Sequence, residues 1–398
     1  MQIIDQRNLS FHFVFVAVWC LSIIAIPASG QFTLRIILSN VAATHQADPI
    51  YIAGNFNNWN PGNPDFQFQK QGNKLALDVK NVPVGIYEYK FTRGSWGRAA
   101  CSVSGADLSN NTLQLKADTT VYDTVKAWKD EFAAADKKHT ASKNVLVMDT
   151  GFFMPQLARN RKISIYLPAG YSTSKLHYPV MYMHDGQNLF DDYIAGFEEW
   201  GVDESLDSLI KKGQQPCIVV AIDNGPNRIT EYNPFYFEKF GDGEGGNYIN
   251  FIVNNLKPAI DKRYRTLTAK NNTIIAGSSM GGLISYYAIL KYPEVFGKAG
   301  IFSPAFWTSG KGISELTDSL GPHMDGMLFF YMGRMEGDQY LKEMTEVCDK
   351  LGKLSTAYIY TAVDEKGLHN EKAWRKWFSE FYKWITADGN NYIIKTPD

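Results

Sequence analysis

Gly277-Ser278-Ser279-Met280-Gly281 forms a G-x-S-x-G pentapeptide, entered by the apolar run Thr273-Ile274-Ile275-Ala276 and left by the helical stretch Gly282-Leu283-Ile284-Ser285-Tyr286-Tyr287. With 33 glycines in the chain the pentapeptide alone means little, and its flanks give it weight. A strand turning so abruptly into a helix needs glycine where side chains would collide, and the turn lifts the serine oxygen above the sheet edge. Ser279 is therefore the candidate nucleophile. A serine hydroxyl needs a base within hydrogen-bond reach, and the chain has seven histidines. His12, His45, His139, His177 and His184 precede Ser279, whereas a serine on this kind of turn takes its base after both nucleophile and acid. His323 comes too early, which leaves His369, just beyond the last apolar strand and just before a C-terminal helix. The acid that fixes the imidazole should follow the strand Met327–Met332. Gly333-Arg334-Met335-Glu336-Gly337-Asp338 offers Glu336 as first choice and Asp338 as second, with Asp364 and Glu365 third because they share the loop of His369.

These groups need a sheet to hold them. From residue 144 to 388 short apolar strands (Ile163–Leu167, Val180–Met183, Ile218–Ile222, Ile274–Ala276, Ala299–Phe302, Met327–Met332, Ala357–Thr361) alternate with helical segments (Val202–Lys212, Tyr248–Tyr264, Met280–Tyr292, Gln339–Leu351, Glu371–Trp384). Such alternation implies a mostly parallel sheet covered by helices on both faces. Segments that follow strands should open into the site, which marks Trp307 after Ala299–Phe302, and Arg228 and Tyr232 after Ile218–Ile222, as candidate substrate contacts. Residues 31–128 differ in kind: six β-like runs (Phe32–Leu38, Ile50–Ala53, Leu75–Val79, Ile86–Phe91, Thr112–Leu115, Thr120–Val125) are broken by turn residues, the pattern of a small antiparallel, immunoglobulin-like sandwich. The polar stretch 129–143 reads as a linker, and 389–398 as a C-terminal tail.

Composition narrows the function classes. A chain of 398 residues with 45% hydrophobic and 20% charged residues fits two globular domains, and a formal net charge of −1 offers no basic field for nucleic acid. Arg7, the apolar run Phe11–Ile26 and the small residues Ala28-Ser29-Gly30 read as a cleaved signal peptide over residues 1–30, which implies a secreted or periplasmic protein. That run is short for a bilayer span of about 20 residues and stops at Pro27, so no stable membrane anchor is expected. Cys20 follows bulky Trp19, which argues against lipid attachment. Cys101, Cys217 and Cys348 show no metal spacing and should be packed thiols; no metal or other cofactor is expected.

From about Asn144 to Trp384 the chain resembles the esterase D/feruloyl-esterase-like esterases, a group that includes enterochelin esterases and mycolyltransferases. The resemblance rests on YPVMYMHDGQNLF (178–190), EEWGVDESLDSLI (198–210), IIAGSSMGGLISYYAILKYPEVF (274–296), YMGRMEGD (331–338) and GLHNEKAWRKWF (367–378). It implies an α/β-hydrolase fold with Ser279 as nucleophile, His369 as base and Glu336, the fourth residue of Gly-x-x-Glu, as acid. It also implies an oxyanion hole from the backbone N–H groups of Met280 and of Gln187, which follows His184-Asp185-Gly186.

Gly54-Asn55-Phe56-Asn57-Asn58-Trp59 and Tyr87-Glu88-Tyr89-Lys90-Phe91-Thr92-Arg93-Gly94-Ser95-Trp96 resemble glycogen- and starch-binding modules of β-sandwich type. The resemblance implies that Trp59 and Trp96 stack on sugar rings and that Lys90 donates to hydroxyls. Gly97-Arg98-Ala99-Ala100 lacks the further aromatic of some starch binders. The reading that follows is a secreted serine esterase acting on feruloyl or acetyl esters of polysaccharide, with a glycan as partner of the N-terminal module. Hydrolysis of a siderophore trilactone is the alternative, and a glycan-binding protein with a non-catalytic hydrolase scaffold is the alternative of another class.

Overall fold

A computed structural model describes residues 31–57, 59–106, 108, 110–132, 138–196, 198–237 and 241–387. The expected signal peptide with Cys20, the expected tail 389–398 and residues 133–137 of the expected linker lie outside the described residues. The chain divides into two compact units that meet in sequence between Ala135 and Asp136.

In the first unit the six expected strands are present, as Gln31–Val41, Tyr51–Gly54, Lys74–Pro83, Gly85–Thr92, Asn111–Leu115 and Thr119–Val125. Short strands at Gln69–Gln71, Ala100–Cys101 and Ala127–Trp128 add to them. A four-stranded sheet and a three-stranded sheet share one core, with Leu34, Ile36, Leu77 and Val125 from the former meeting Ile52, Tyr89, Phe91 and Leu115 from the latter. The expectation of a purely antiparallel unit is corrected: Gln31–Val41 runs parallel to Thr119–Val125. Alternation along a strand reports which face is buried, not the direction of its neighbour.

The second unit is built on an eight-stranded sheet. Its strands are β1 (Val145–Met154), β2 (Arg159–Tyr166), β3 (Val180–His184), β4 (Ile218–Ile222), β5 (Thr273–Ser278), β6 (Lys298–Phe302), β7 (Met327–Gly333) and β8 (Tyr358–Asp364). They lie in the order β1-β2-β4-β3-β5-β6-β7-β8; β1, β2 and β4 pair antiparallel and every later pair is parallel. β3, β4 and β5 are buried along their whole length, as apolar runs must be when helices cover both faces. Val180 and Tyr182 face one core, Met181 and Met183 the other.

The helices are α1 (Val202–Lys211), α2 (Gly245–Phe251, continued by a π turn Ile252–Leu256 into Lys257–Arg263), α3 (Met280–Lys291), α4 (Gly310–Leu320), α5 (Asp338–Leu354) and α6 (Glu371–Thr386). α2, α3, α4 and α5 supply Phe251, Leu283, Ile313 and Met344 to the first core, while α1 and α6 supply Leu206, Trp374, Phe378 and Phe381 to the second. Phe381 lies so close to β6 that a Cβ at Gly300 would meet its ring at 2.7 Å. Among the described residues no helix is long and apolar enough to cross a membrane. Cys101, Cys217 and Cys348 are all buried thiols.

Some features were not anticipated, among them β1, α4 and the anchoring of residues 138–143. β1 is half-exposed and its pairing shifts register around Asp149, so no clean alternation marks it. Residues 138–143, expected as linker, are fastened to the second unit: His139 Nδ1 lies 2.8 Å from Asp191, Thr140 Oγ1 donates to Glu199 at 3.0 Å and the Ser142 N–H donates to Asp203 at 2.6 Å. Polar composition reads as loop, yet the same side chains and amides make good fasteners.

Candidate active site

Ser279 sits between β5 and α3 with φ 58° and ψ −120°, a conformation costly for a residue with a side chain. The surrounding main chain enforces it. Ser279 N–H donates to Phe302 O at 2.9 Å, and Ser279 O accepts from Ala305 N–H at 3.0 Å, so the turn is clamped to the end of β6. The flanking glycines are there for close approach: a Cβ at Gly277 would stand 2.9 Å from the His184 ring, and one at Gly282 would stand 2.8 Å from Phe302 O. His184 is buried and its Nδ1 is 2.9 Å from Tyr248 Oη, while Nε2 has no partner. Burial lowers its pKa to about 3, which leaves a neutral ring under the serine turn.

The loops after β7 and β8 meet beside it. Glu336 is buried, and its carboxylate accepts from Gly333 N–H at 2.8 Å and from Ser303 Oγ at 2.6 Å; His369 Nδ1 lies 2.7 Å from Glu336 Oε2. Because a carboxylate only accepts, Nδ1 carries the proton and Nε2 is left to accept one. The His369 side chain is 40% exposed. Its ring stands edge-on to Trp374 at 5.1 Å, and Trp374 Nε1 donates to Ser303 Oγ at 2.9 Å. Gly333 and Gly367 let the two loops touch, since a Cβ at Gly333 would run into the Gly367 carbonyl. β5, β6, β7 and β8 are neighbours, so Ser279, Ser303, Glu336 and His369 all issue from one edge of the sheet.

Asp338 is exposed at the start of α5, and Asp364 is engaged by Lys376 Nζ at 2.7 Å and Trp377 Nε1 at 2.9 Å. Glu365 pairs with Arg334 at 2.6 Å. Of the four acids considered, His369 is held by Glu336.

Gln187 lies in the short turn Gly186–Asn188 after β3, and its side chain accepts from Asn224 N–H at 3.0 Å. Asp185, at φ 57°, opens this turn, and Arg228 grips its carboxylate with Nε at 2.6 Å and Nη2 at 2.7 Å. Burial opposes ionisation of Asp185, but Arg228 and Asn224 outweigh it and hold the carboxyl below the usual range.

Two of the expected substrate contacts, Arg228 and Tyr232, have partners within the protein. Tyr232 is 0% exposed, with its hydroxyl accepting from Asp185 N–H at 3.3 Å, and Arg228 is committed to Asp185. Both position the turn that carries Gln187. Trp307 differs: it is 43% exposed on the segment after β6, edge-on to Phe237 at 6.1 Å. In the first unit Trp59 and Trp96 come together, ring centroids 6.3 Å apart at 40°, and Lys90 lies on the strand Gly85–Thr92. Asn57 holds the Trp59 loop by donating to Ile52 O and accepting from Gly54 N–H, both at 2.8 Å.

Ser303, Trp374 and Asn188 were not foreseen, since a serine after a strand or an indole on a helix has no chemical signature in sequence. A non-glycine residue at φ 43°, as at Ser303, becomes visible only in the fold.

Residues 155–384 match the family model described as "Putative esterase". The chain belongs to this esterase family. Its relatives include the uncharacterized protein YbbA of Bacillus subtilis, 29% identical over 244 residues, 57% of this chain and 93% of YbbA. An endo-1,4-beta-xylanase/feruloyl esterase of Xylanibacter ruminicola is 27% identical over 190 residues, 44% of this chain but only 23% of that protein. Among solved structures, the BES protein from Bacillus cereus superposes with a TM-score of 0.52 at 19% identity, covering 65% of this chain and all of that one, 100%. Esterase membership agrees with the mixed α/β unit and its mostly parallel sheet.

Proposed function

We propose that this esterase works by a serine mechanism, with Ser279 as nucleophile, His369 as general base and Glu336 as the acid that orients it. The observation that carries the reading is the bond of 2.7 Å between Glu336 and His369 Nδ1, at the sheet edge from which Ser279 rises. In the first step Ser279 Oγ attacks the ester carbonyl carbon as its proton passes to His369 Nε2. The N–H groups of Met280 and Gln187 donate to the resulting oxyanion. Collapse of the intermediate breaks the carbon–oxygen bond to the alcohol, which takes the proton from His369. Water then repeats the sequence on the acyl-enzyme, releasing the acid and restoring the serine.

The substrate class we propose is an acyl ester, feruloyl or acetyl, on a polysaccharide. Half-exposed Trp307 offers an aromatic surface suited to a hydroxycinnamoyl ring, and the Xylanibacter ruminicola relative is named for xylanase and feruloyl esterase activities. The first unit is read as a glycan-binding β-sandwich, with Trp59, Trp96 and Lys90 as its contacts, and residues 1–30 as an export signal.

Ser279→Ala should lower turnover of methyl ferulate by on the order of 10⁶, the scale of removing a nucleophile of this type. A fluorophosphonate should label the wild-type chain and spare the variant. Wild-type rates in Ser279→Ala would overturn the serine mechanism, whereas preference for a siderophore trilactone over methyl ferulate and acetylated xylan would change only the substrate.

A further inference from the structure

Glu199, Asp203 and Glu204 lie at the head of α1, and each offers a carboxylate oxygen within 4.8 Å of the others. Acids in a first helical turn are ordinary, because they meet the positive end of the helix. The burial of these is not. Glu199 is 4% exposed and Asp203 0%. One oxygen of each has a protein donor, Thr140 Oγ1 for Glu199 Oε2 at 3.0 Å and Ser142 N–H for Asp203 Oδ2 at 2.6 Å. Glu199 Oε1 and Asp203 Oδ1 are shut off from solvent and have no partner. Leaving such an oxygen unmatched costs about 1–3 kcal/mol, more when it is charged.

No lysine or arginine among the described residues forms an ion pair with any of the three. The cation beside them, Arg375, spends Nε and Nη2 on the main-chain carbonyl of Glu199. Arg375 therefore offsets the Glu199 charge only through space and makes no bond to any of the three carboxylates.

We infer that Glu199, Asp203 and Glu204 bind one divalent cation of the calcium type. Three carboxylates with no imidazole or thiolate suit a hard cation. Calcium holds oxygens at about 2.3–2.6 Å, so two ligands on opposite sides of it are about 5 Å apart, and the observed spacing fits inside that shell. Glu204 is the exposed member, so the ion enters from its side and water completes the coordination. An ion there ties residues 140–142, through Thr140 and Ser142, to the head of α1.

Terbium luminescence tests this on the full chain at pH 8, because Trp200 adjoins Glu199 and its indole can sensitise a bound lanthanide. The expected result is a saturable signal displaced by calcium with a dissociation constant on the order of 10⁻⁴ M. Glu204→Gln should weaken displacement at least about tenfold and Asp203→Asn should abolish the signal, while Glu315→Gln, an exposed change on α4, should leave it intact. Calcium should also raise the wild-type melting temperature and not that of Asp203→Asn. If the wild type gives no saturable signal and no calcium-dependent melting shift, the acids share protons instead and the site is refuted. An unchanged signal in Glu204→Gln that is folded by circular dichroism refutes it equally.

Discussion

Glu336 and Asp338 are two residues apart in one turn, yet their surroundings assign them opposite fates. Glu336 accepts from Ser303 and Gly333 and faces His369, whereas Asp338 is exposed at a helix start. Glu336→Gln keeps the shape and removes the charge that stabilises an imidazolium, so turnover should fall about 10³–10⁴-fold. Asp338→Asn alters a helix-dipole contact of about 0.3–1 kcal/mol and should leave turnover within about threefold. Steady-state rates on methyl ferulate separate the two, and a larger loss at Asp338 would move the acid. Glu371, two residues past His369, makes a different prediction. Burial pushes its carboxyl up to about 7 from 4.5, with the Asp185 and Glu198 charges adding to the rise and His369 opposing it, while Asn188 Nδ2 donates to it at 3.3 Å. Because the folded chain favours the protonated form, that contribution is whole below about pH 4.5 and is lost as pH rises through about 7. Glu371→Gln, neutral at every pH, should be about 1–3 kcal/mol more stable than wild type at pH 8 and equal to it at pH 4 in urea titrations. Sequence singled out Ser279 and His369 as candidates because chain order and flanking elements constrain them. It put Glu336 ahead of Asp338 but could not see that Arg228 turns toward Asp185, since a position after a strand says nothing of side-chain direction.

At the level of elements, α6 bears on the catalytic geometry because His369 stands at its entrance. Asn370 caps the helix, its side chain accepting from Ala373 N–H at 3.0 Å, and so fixes where the preceding histidine can point. Asn370→Ala should cost about 1 kcal/mol of stability and Asn370→Asp should recover it. If the cap orients His369, the alanine variant should lose turnover more than substrate affinity, which a comparison of kcat with KM reads directly. The buried strands β3 to β7 could be read from sequence because apolar runs without alternation belong to covered parallel sheets. β1 could not, since bulged and half-exposed residues carry no period. α4 was missed for a related reason, as only Ile313 and Thr317 of it are buried.

The whole molecule joins two units with separate cores, and the proposal gives each a separate task. Trp59 and Trp96, held 6.3 Å apart, present two indole faces, and each would bind a sugar ring weakly. Tethering is where they matter, because holding an esterase on an insoluble chain raises the local concentration of its substrate without altering the serine site. The double variant Trp59→Ala/Trp96→Ala should therefore abolish pull-down on polysaccharide and leave hydrolysis of a small soluble ester unchanged. Testing starch, glycogen and xylan together makes the result decisive; no retention of the wild-type chain on any of them would remove glycan binding from the first unit.

Cys101 is buried in the first unit, and Cys217 and Cys348 are buried in the second, which has a consequence for how the chain would meet an oxidant. Burial pushes the Cys217 and Cys348 thiols up to about 12, so at neutral pH only about one molecule in 10⁵ carries the reactive thiolate at either position. At Cys217 and Cys348 the folded chain therefore presents almost no nucleophile for disulfide exchange. Unfolding of the second unit exposes both of these sulfurs. Oxidation at Cys217 and Cys348 is thus set by how often the second unit opens, not by what it shows at its surface.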